Sequence, residues 1–147
     1  MTRSLAVLIL GATVALGATV AAQGPFAGAG RAGGTGGGWK VPETAATEKN
    51  PLTVNDALLV AGRRIYVDKC QRCHGVLGKG DGEDANKRYQ DTMNLTDATR
   101  AAENPDGVVF HKVWNGRTAP RMPTFSEELS RDQVWTVVAY VQSLRGK

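Results

Sequence analysis

From Pro51 onward the apolar positions of the chain recur at helical spacing. Leu58, Ala61, Gly62, Ile65 and Tyr66 fall at i, i+3, i+4, i+7 and i+8, the stripe of an amphipathic helix. Thr53 with Asp56 three residues later predicts a capping-box start for it, and the helix runs directly into Cys70. A second stripe, Val109, Phe110 and Val113, follows Asn104-Pro105, a cap with proline in the first turn, and Gly116 is placed to end it. The third is the clearest. Ser130 caps, Gln133 reaches back, Leu129 can staple onto Val134, and Val134, Val137, Val138, Val141 and Leu144 line one face, with Gly146 at the end. No segment alternates with period two for long enough to make a strand. The pattern predicts an all-α domain of three to five helices over residues 51–147.

The N-terminal third reads differently. Arg3 is followed by an uncharged run, strongly apolar from Leu5 to Leu10 and ending in Val20, Ala21 and Ala22. A basic start, an apolar stretch and small residues predict a secretory signal peptide over 1–22, cleaved after Ala22. An uncleaved membrane anchor is the alternative, because the run just reaches the shortest length that spans a bilayer. Residues 23–50 open on a glycine- and alanine-rich stretch and turn polar after Trp39, with no apolar period. They are expected to form a flexible arm, with Trp39 packing locally.

Composition removes several function classes. A chain of 147 residues allows one ordinary domain. Lys and Arg total 18 against 14 Asp and Glu, too mild an excess for nucleic-acid binding. Two cysteines exclude a multi-bridge disulfide scaffold, and two histidines exclude a three-histidine metal site. Gly78-Lys79-Gly80-Asp81-Gly82 fails as a phosphate loop, because Gly80 stands where Ser or Thr is required after the lysine.

The chemistry concentrates in Cys70-Gln71-Arg72-Cys73-His74, the attachment pattern of a c-type haem. Two thiols three positions apart share a helical turn, within reach of two vinyl groups on one porphyrin edge, and the next residue offers an imidazole to the iron. The rival readings are weaker. A thioredoxin-like site needs a preceding strand, and a zinc site needs four ligands where only Cys70, Cys73, His74 and the distant His111 exist. A plain disulfide leaves His74 unexplained.

At these residues the chain resembles the bacterial class I c-type cytochromes. The resemblance spans roughly Pro51 to Leu144. It is carried by Gly62-Arg63-Arg64-Ile65-Tyr66, the Cys70–Gly75 segment, Gly78–Gly82, Asn94-Leu95-Thr96, Val109-Phe110, Asn115-Gly116, Met122-Pro123-Thr124-Phe125 and Trp135–Val141. It implies a small cytochrome c fold around one covalently attached haem c, with the first and last helices crossing at Gly62 against Tyr140. It also implies that the iron is held by His74 and Met122, in a loop restrained by Pro120 and Pro123. Met93 and His111 are the competing sixth ligands, His111 being expected on the solvent face of its helix. Where relatives carry a proline after the glycine-rich turn this chain has Glu83, and the carbonyl that orients His74 is not assignable from sequence.

The function expected is that of a periplasmic electron carrier rather than an enzyme, since no base, nucleophile or substrate pocket is legible. The alternatives are a haem enzyme or gas sensor with an open sixth site, or a dedicated redox subunit of a dehydrogenase or oxidase complex. Arg63, Arg64, Lys69, Arg72, Lys112, Arg117 and Arg121 are expected to rim the exposed haem edge and steer a redox partner bearing an acidic patch.

Overall fold

A computed structural model describes residues 38–146. The expected signal peptide, and the part of the arm before Gly38, lie outside the described residues. Five α-helices follow one another: α1 (Asp56–Lys69), α2 (Gln71–His74), α3 (Gln90–Met93), α4 (Asp106–Asn115) and α5 (Arg131–Ser143), with single 3-10 turns between and before them. No strand occurs among the described residues, only the isolated bridges Lys79–Asn94 and Arg117–Met122.

The helix starts test the capping predictions one by one. Ser130 accepts from the Gln133 amide while the Gln133 side chain accepts from the Ser130 amide, so α5 carries the expected capping box. For α1 the cap is Asn55, whose side chain accepts from the Leu58 amide at 2.9 Å; the Thr53–Asp56 pair does not serve, because a better-placed acceptor stands next to the first turn. In α4 the cap position is taken by Pro105 itself, without a side-chain cap. Asn104 turns away, accepting from Lys112 Nζ at 2.5 Å and donating to the Arg100 carbonyl at 2.9 Å.

α1 and α5 cross where Gly62 has no side chain. A Cβ there would lie 2.5 Å from the Thr136 carbonyl oxygen and 2.8 Å from Tyr140 Cβ, so the approach needs glycine. Next to the crossing, the rings of Tyr66 and Tyr140 sit 5.2 Å apart. α4 lays Phe110 flat on Trp135 of α5, with centroids 4.2 Å apart, and on its own Trp114 at 5.7 Å. Tyr66, Phe110, Val134, Val137 and Val138 are the most deeply buried members of this core.

The arm expected over 23–50 is docked from Gly38 onward. Ala45, in the 3-10 turn Glu43–Ala46, is fully buried, and its carbonyl lies so close to Gly107 of α4 that a Cβ on Gly107 would strike it. Asn50 donates its side-chain amide to the Trp135 carbonyl at 2.8 Å. A hydropathy pattern does not show such a segment, because small and polar residues fasten it rather than an apolar stripe.

Candidate functional site

α1 ends at Cys70, and the chain makes one further turn, α2, before Gly75 stops it with φ +82°. This turn presents the whole motif. Tyr66, one turn before Cys70, donates its hydroxyl to the Gly75 carbonyl at 2.6 Å and so ties the end of the motif to α1. Burial is the main cause holding that phenol well above its ordinary range. The loop that follows folds back under the motif, with Gly80 N donating to the His74 carbonyl at 2.8 Å and Asp84 N to the Arg72 carbonyl at 2.8 Å.

His74 is oriented by the chain itself. Its Nδ1 lies 2.7 Å from the Met93 carbonyl oxygen. A carbonyl only accepts, so Nδ1 carries the proton and Nε2 keeps its lone pair free. Burial pushes the imidazole pKa down, with the Met93 hydrogen bond opposing, and the neutral, ligating form is favoured. The carbonyl that the sequence left open is therefore that of Met93, presented by α3.

Met122 is held as firmly from the other side of the sequence. Arg117 and Met122 exchange two backbone hydrogen bonds of 2.9 Å each, closing a tight loop. Gly116, at φ +59°, packs so tightly beneath it that a Cβ would come within 2.5 Å of the Met122 carbonyl. Thr124 Oγ1 donates to the Trp114 carbonyl at 2.7 Å and fixes the exit from the loop to α4.

These pieces meet at a cavity of about 350 Å³ lined by Cys70, His74 and Met122, with Leu95, Val109, Val113 and Val141 supplying apolar wall. That size is within the range of cofactor sites. Cys73 stands off the lining but shares the turn of Cys70, its amide donating to the Cys70 carbonyl at 3.2 Å. Burial, with Cys73 and Asp68 nearby, pushes the Cys70 thiol up to about 12. The competing ligands are not brought to the cavity. Met93 turns its carbonyl to His74, and His111 is half-buried rather than solvent-facing, its Nε2 3.0 Å from Glu48 Oε2. The reason is the docked arm, which covers that face of α4.

The cavity rim is cationic. Arg100, Lys112, Arg117 and Arg145 all line it, and among the described residues none has a carboxylate within 4.0 Å. Neutral acceptors hold the guanidinium groups instead: the Asp91 carbonyl for Arg100 at 3.0 Å, the Pro120 carbonyl for Arg117 at 2.8 Å, and Gln142 and the Asn104 carbonyl for Arg145. Burial, followed by the charges of Arg100 and Arg117, lowers Lys112 to about 8. The expected basic rim thus divides. Lys112 and Arg117 turn into the cavity, while Lys69 pairs with Glu128 at 2.8 Å and Arg72 with Glu83 and Asp84 at 3.0 Å each. Arg100, Arg145 and Trp39 also line the cavity; sequence reasoning did not place them there, because no local motif links residues so far apart.

Glu103 is the one acidic residue among the lining; an apolar wall, a neutral imidazole, a thioether and four cations without a direct carboxylate partner suit a flat apolar macrocycle that carries carboxylates at one edge. The donor set fits haem. Comparison with known proteins gives the same answer. The cytochrome c family model matches residues 59–145. The cbb3-type cytochrome c oxidase subunit FixP of Bradyrhizobium diazoefficiens is 31% identical over 85 residues, covering 58% of this chain and 27% of that protein. This chain therefore spans only about a quarter of that relative's length. Among solved structures, a chain of the reducing HAO-like protein complex of Kuenenia stuttgartiensis superposes with a TM-score of 0.54 at 31% identity, over 65% of this chain and 47% of that one. Cytochrome CL of Methylophaga aminisulfidivorans superposes with a TM-score of 0.52 at 23% identity, over 68% and 63% of the two chains, and shows the fold alone. With the helical fold, the attachment motif and the family match in agreement, the chain belongs to the cytochrome c family and has covalently bound haem c as its cofactor.

Proposed function

We propose that this protein is a single-haem electron carrier whose iron is held by His74 and Met122, working outside the cytoplasmic membrane between redox partner proteins. The observation that carries the reading is the convergence of Cys70, His74 and Met122 on one cavity, with His74 Nδ1 pinned to the Met93 carbonyl at 2.7 Å. When bound, the haem iron supplies reversible one-electron exchange. The chain does the rest. Cys70 and Cys73 anchor the macrocycle through thioether bonds, and His74 presents Nε2. Met122 offers a neutral, polarizable sulfur that favours the ferrous state, and the cationic rim receives the propionate carboxylates. Both ligands sit on hydrogen-bonded turns, so little has to move when the charge on the iron changes. No side chain is cast as a catalytic residue.

The visible spectrum of the matured protein, oxidised and reduced, with and without carbon monoxide, tests this. A low-spin spectrum with the far-red methionine–iron band, unmoved by carbon monoxide, is expected. A high-spin ferric form, with carbon monoxide binding once the iron is reduced, would replace the carrier with a haem enzyme or gas sensor.

A second reading is a redox subunit of a larger assembly. Its support is that two of the three proteins named above are an oxidase subunit and a chain of a protein complex, the first much longer than this chain. Co-purification of a partner protein with the tagged chain distinguishes this from a free carrier. Export is proposed from the N-terminal signal pattern. Among the described residues no helix is long and apolar enough to cross a membrane.

A further inference from the structure

The family match begins at residue 59, yet Trp39 lines the same cavity as His74 and Met122. The segment that carries it is fastened to α4 along its length. The Lys40 carbonyl accepts from Asn115 Nδ2 at 2.9 Å, near the C-terminal end of α4. The Glu48 carbonyl accepts from Gly107 N at 3.2 Å, near the N-terminal end, and its carboxylate meets His111 in the middle of the helix. Between these points Ala45 is buried against Gly107. At the cavity, the Trp39 ring lies beneath Arg117 Cζ at 4.3 Å and Lys112 Nζ at 5.4 Å. Cation–π contacts of this kind gain strength where water is excluded.

We propose that residues 38–50 are a strap belonging to the haem site, and that Trp39 closes the cavity mouth over the cations that receive the propionates, keeping water from that edge of the cofactor. This rests on haem occupying the cavity and extends the site beyond the region shared with the family. The mechanism is electrostatic. The ferric state carries one more positive charge than the ferrous, so water admitted at the mouth stabilises ferric haem and lowers the reduction potential. Water would also screen Arg117 and Lys112, whose positive charge favours the ferrous state, and that shift has the same sign.

The test compares haem-loaded wild type with Trp39→Ala and Trp39→Phe in redox titrations, with urea midpoints measured on the same samples. Trp39→Ala is expected to lower the midpoint potential and Trp39→Phe to recover most of it. Gly107→Ala, which pushes on Ala45 and Glu48 without altering the cavity lining, is expected to lower it too. Equal potentials for wild type and Trp39→Ala would overturn the proposal, as would a loss of stability in that variant with no shift in potential. If Gly107→Ala does not fold, the two Trp39 variants decide alone. A wild type that binds carbon monoxide would end the carrier reading and leave this comparison intact, because the haem stays covalently attached.

Discussion

His74 Nδ1 donates to the carbonyl oxygen of Met93, 2.7 Å away, so the methionine beside the site acts through its backbone and not through its sulfur. Met93→Leu keeps that carbonyl and is expected to leave the low-spin spectrum unchanged. Met122→Leu removes the thioether of a residue that lines the cavity and is expected to abolish the far-red band and admit carbon monoxide to the reduced iron. Visible spectra of the two variants side by side check the assignment, and the reverse pattern would exchange the roles of the two methionines.

The Met93 carbonyl depends in turn on Gly80. With φ +73°, Gly80 is packed so that a Cβ would strike the Gln90 carbonyl and come within 3.1 Å of the Met93 carbonyl carbon. Gly80→Ala combines left-handed backbone strain with this clash. A loss on the order of 1–3 kcal/mol is expected from the backbone conformation alone, together with poorer haem incorporation. Urea unfolding and the haem-to-protein absorbance ratio measure the two effects.

At Gly62 two effects oppose one another. Alanine or valine would favour helix α1, by about 1 kcal/mol in the case of alanine. A side chain there meets Thr136 O and Tyr140 Cβ, both parts of α5 that cannot rotate away. Overpacking of a rigid contact costs about 1–3 kcal/mol, occasionally more, and wins for Gly62→Val, whose branched side chain forces the helices apart. The urea midpoint of Gly62→Val should fall clearly; an unchanged midpoint would show that the crossing is not tight.

Tyr66→Phe removes the hydroxyl that reaches the Gly75 carbonyl at 2.6 Å. That carbonyl keeps a second donor, the Gly78 amide at 3.1 Å, so it is not left bare. A cost of about 0.5–1.5 kcal/mol follows, rather than the larger penalty of an unsatisfied buried acceptor. The haem spectrum should stay low-spin, because neither axial ligand is touched.

Acid should weaken the turn that leads to Arg100. Asp97 accepts from the Thr99 hydroxyl at 2.6 Å and the Thr99 amide at 2.8 Å, and these bonds hold its carboxyl below the ordinary aspartate range. With the folded pKa depressed, the unfolded chain binds more protons near pH 4. Stability is therefore full above that range and lost as the pH falls through it. Asp97→Asn keeps an acceptor but does not titrate. Wild type should lose stability relative to Asp97→Asn between roughly pH 5 and pH 3, as read from paired urea melts.

The local devices of this protein were legible in its sequence because each is written within a few residues. The Cys70–His74 motif, the Ser130–Gln133 capping box and the stop at Gly116 all state their chemistry or geometry at short range, whereas the crossing at Gly62 is reached only through the family resemblance. So did the all-α class, since the 3.6-residue period of α1, α4 and α5 needs no knowledge of what they pack against. Tertiary structure decided the rest. Only the return of the chain through Gly78–Gly80 puts the Met93 carbonyl on His74, and only the docking of residues 38–50 on α4 covers His111 and brings Trp39 to the cavity. Arg100 and Arg145 join the expected Lys112 and Arg117 in one cationic rim for the same reason. A backbone carbonyl has no side-chain signature, and a cluster drawn from four separate segments has no spacing. Such features exist only once the buried faces of the helices have chosen their partners.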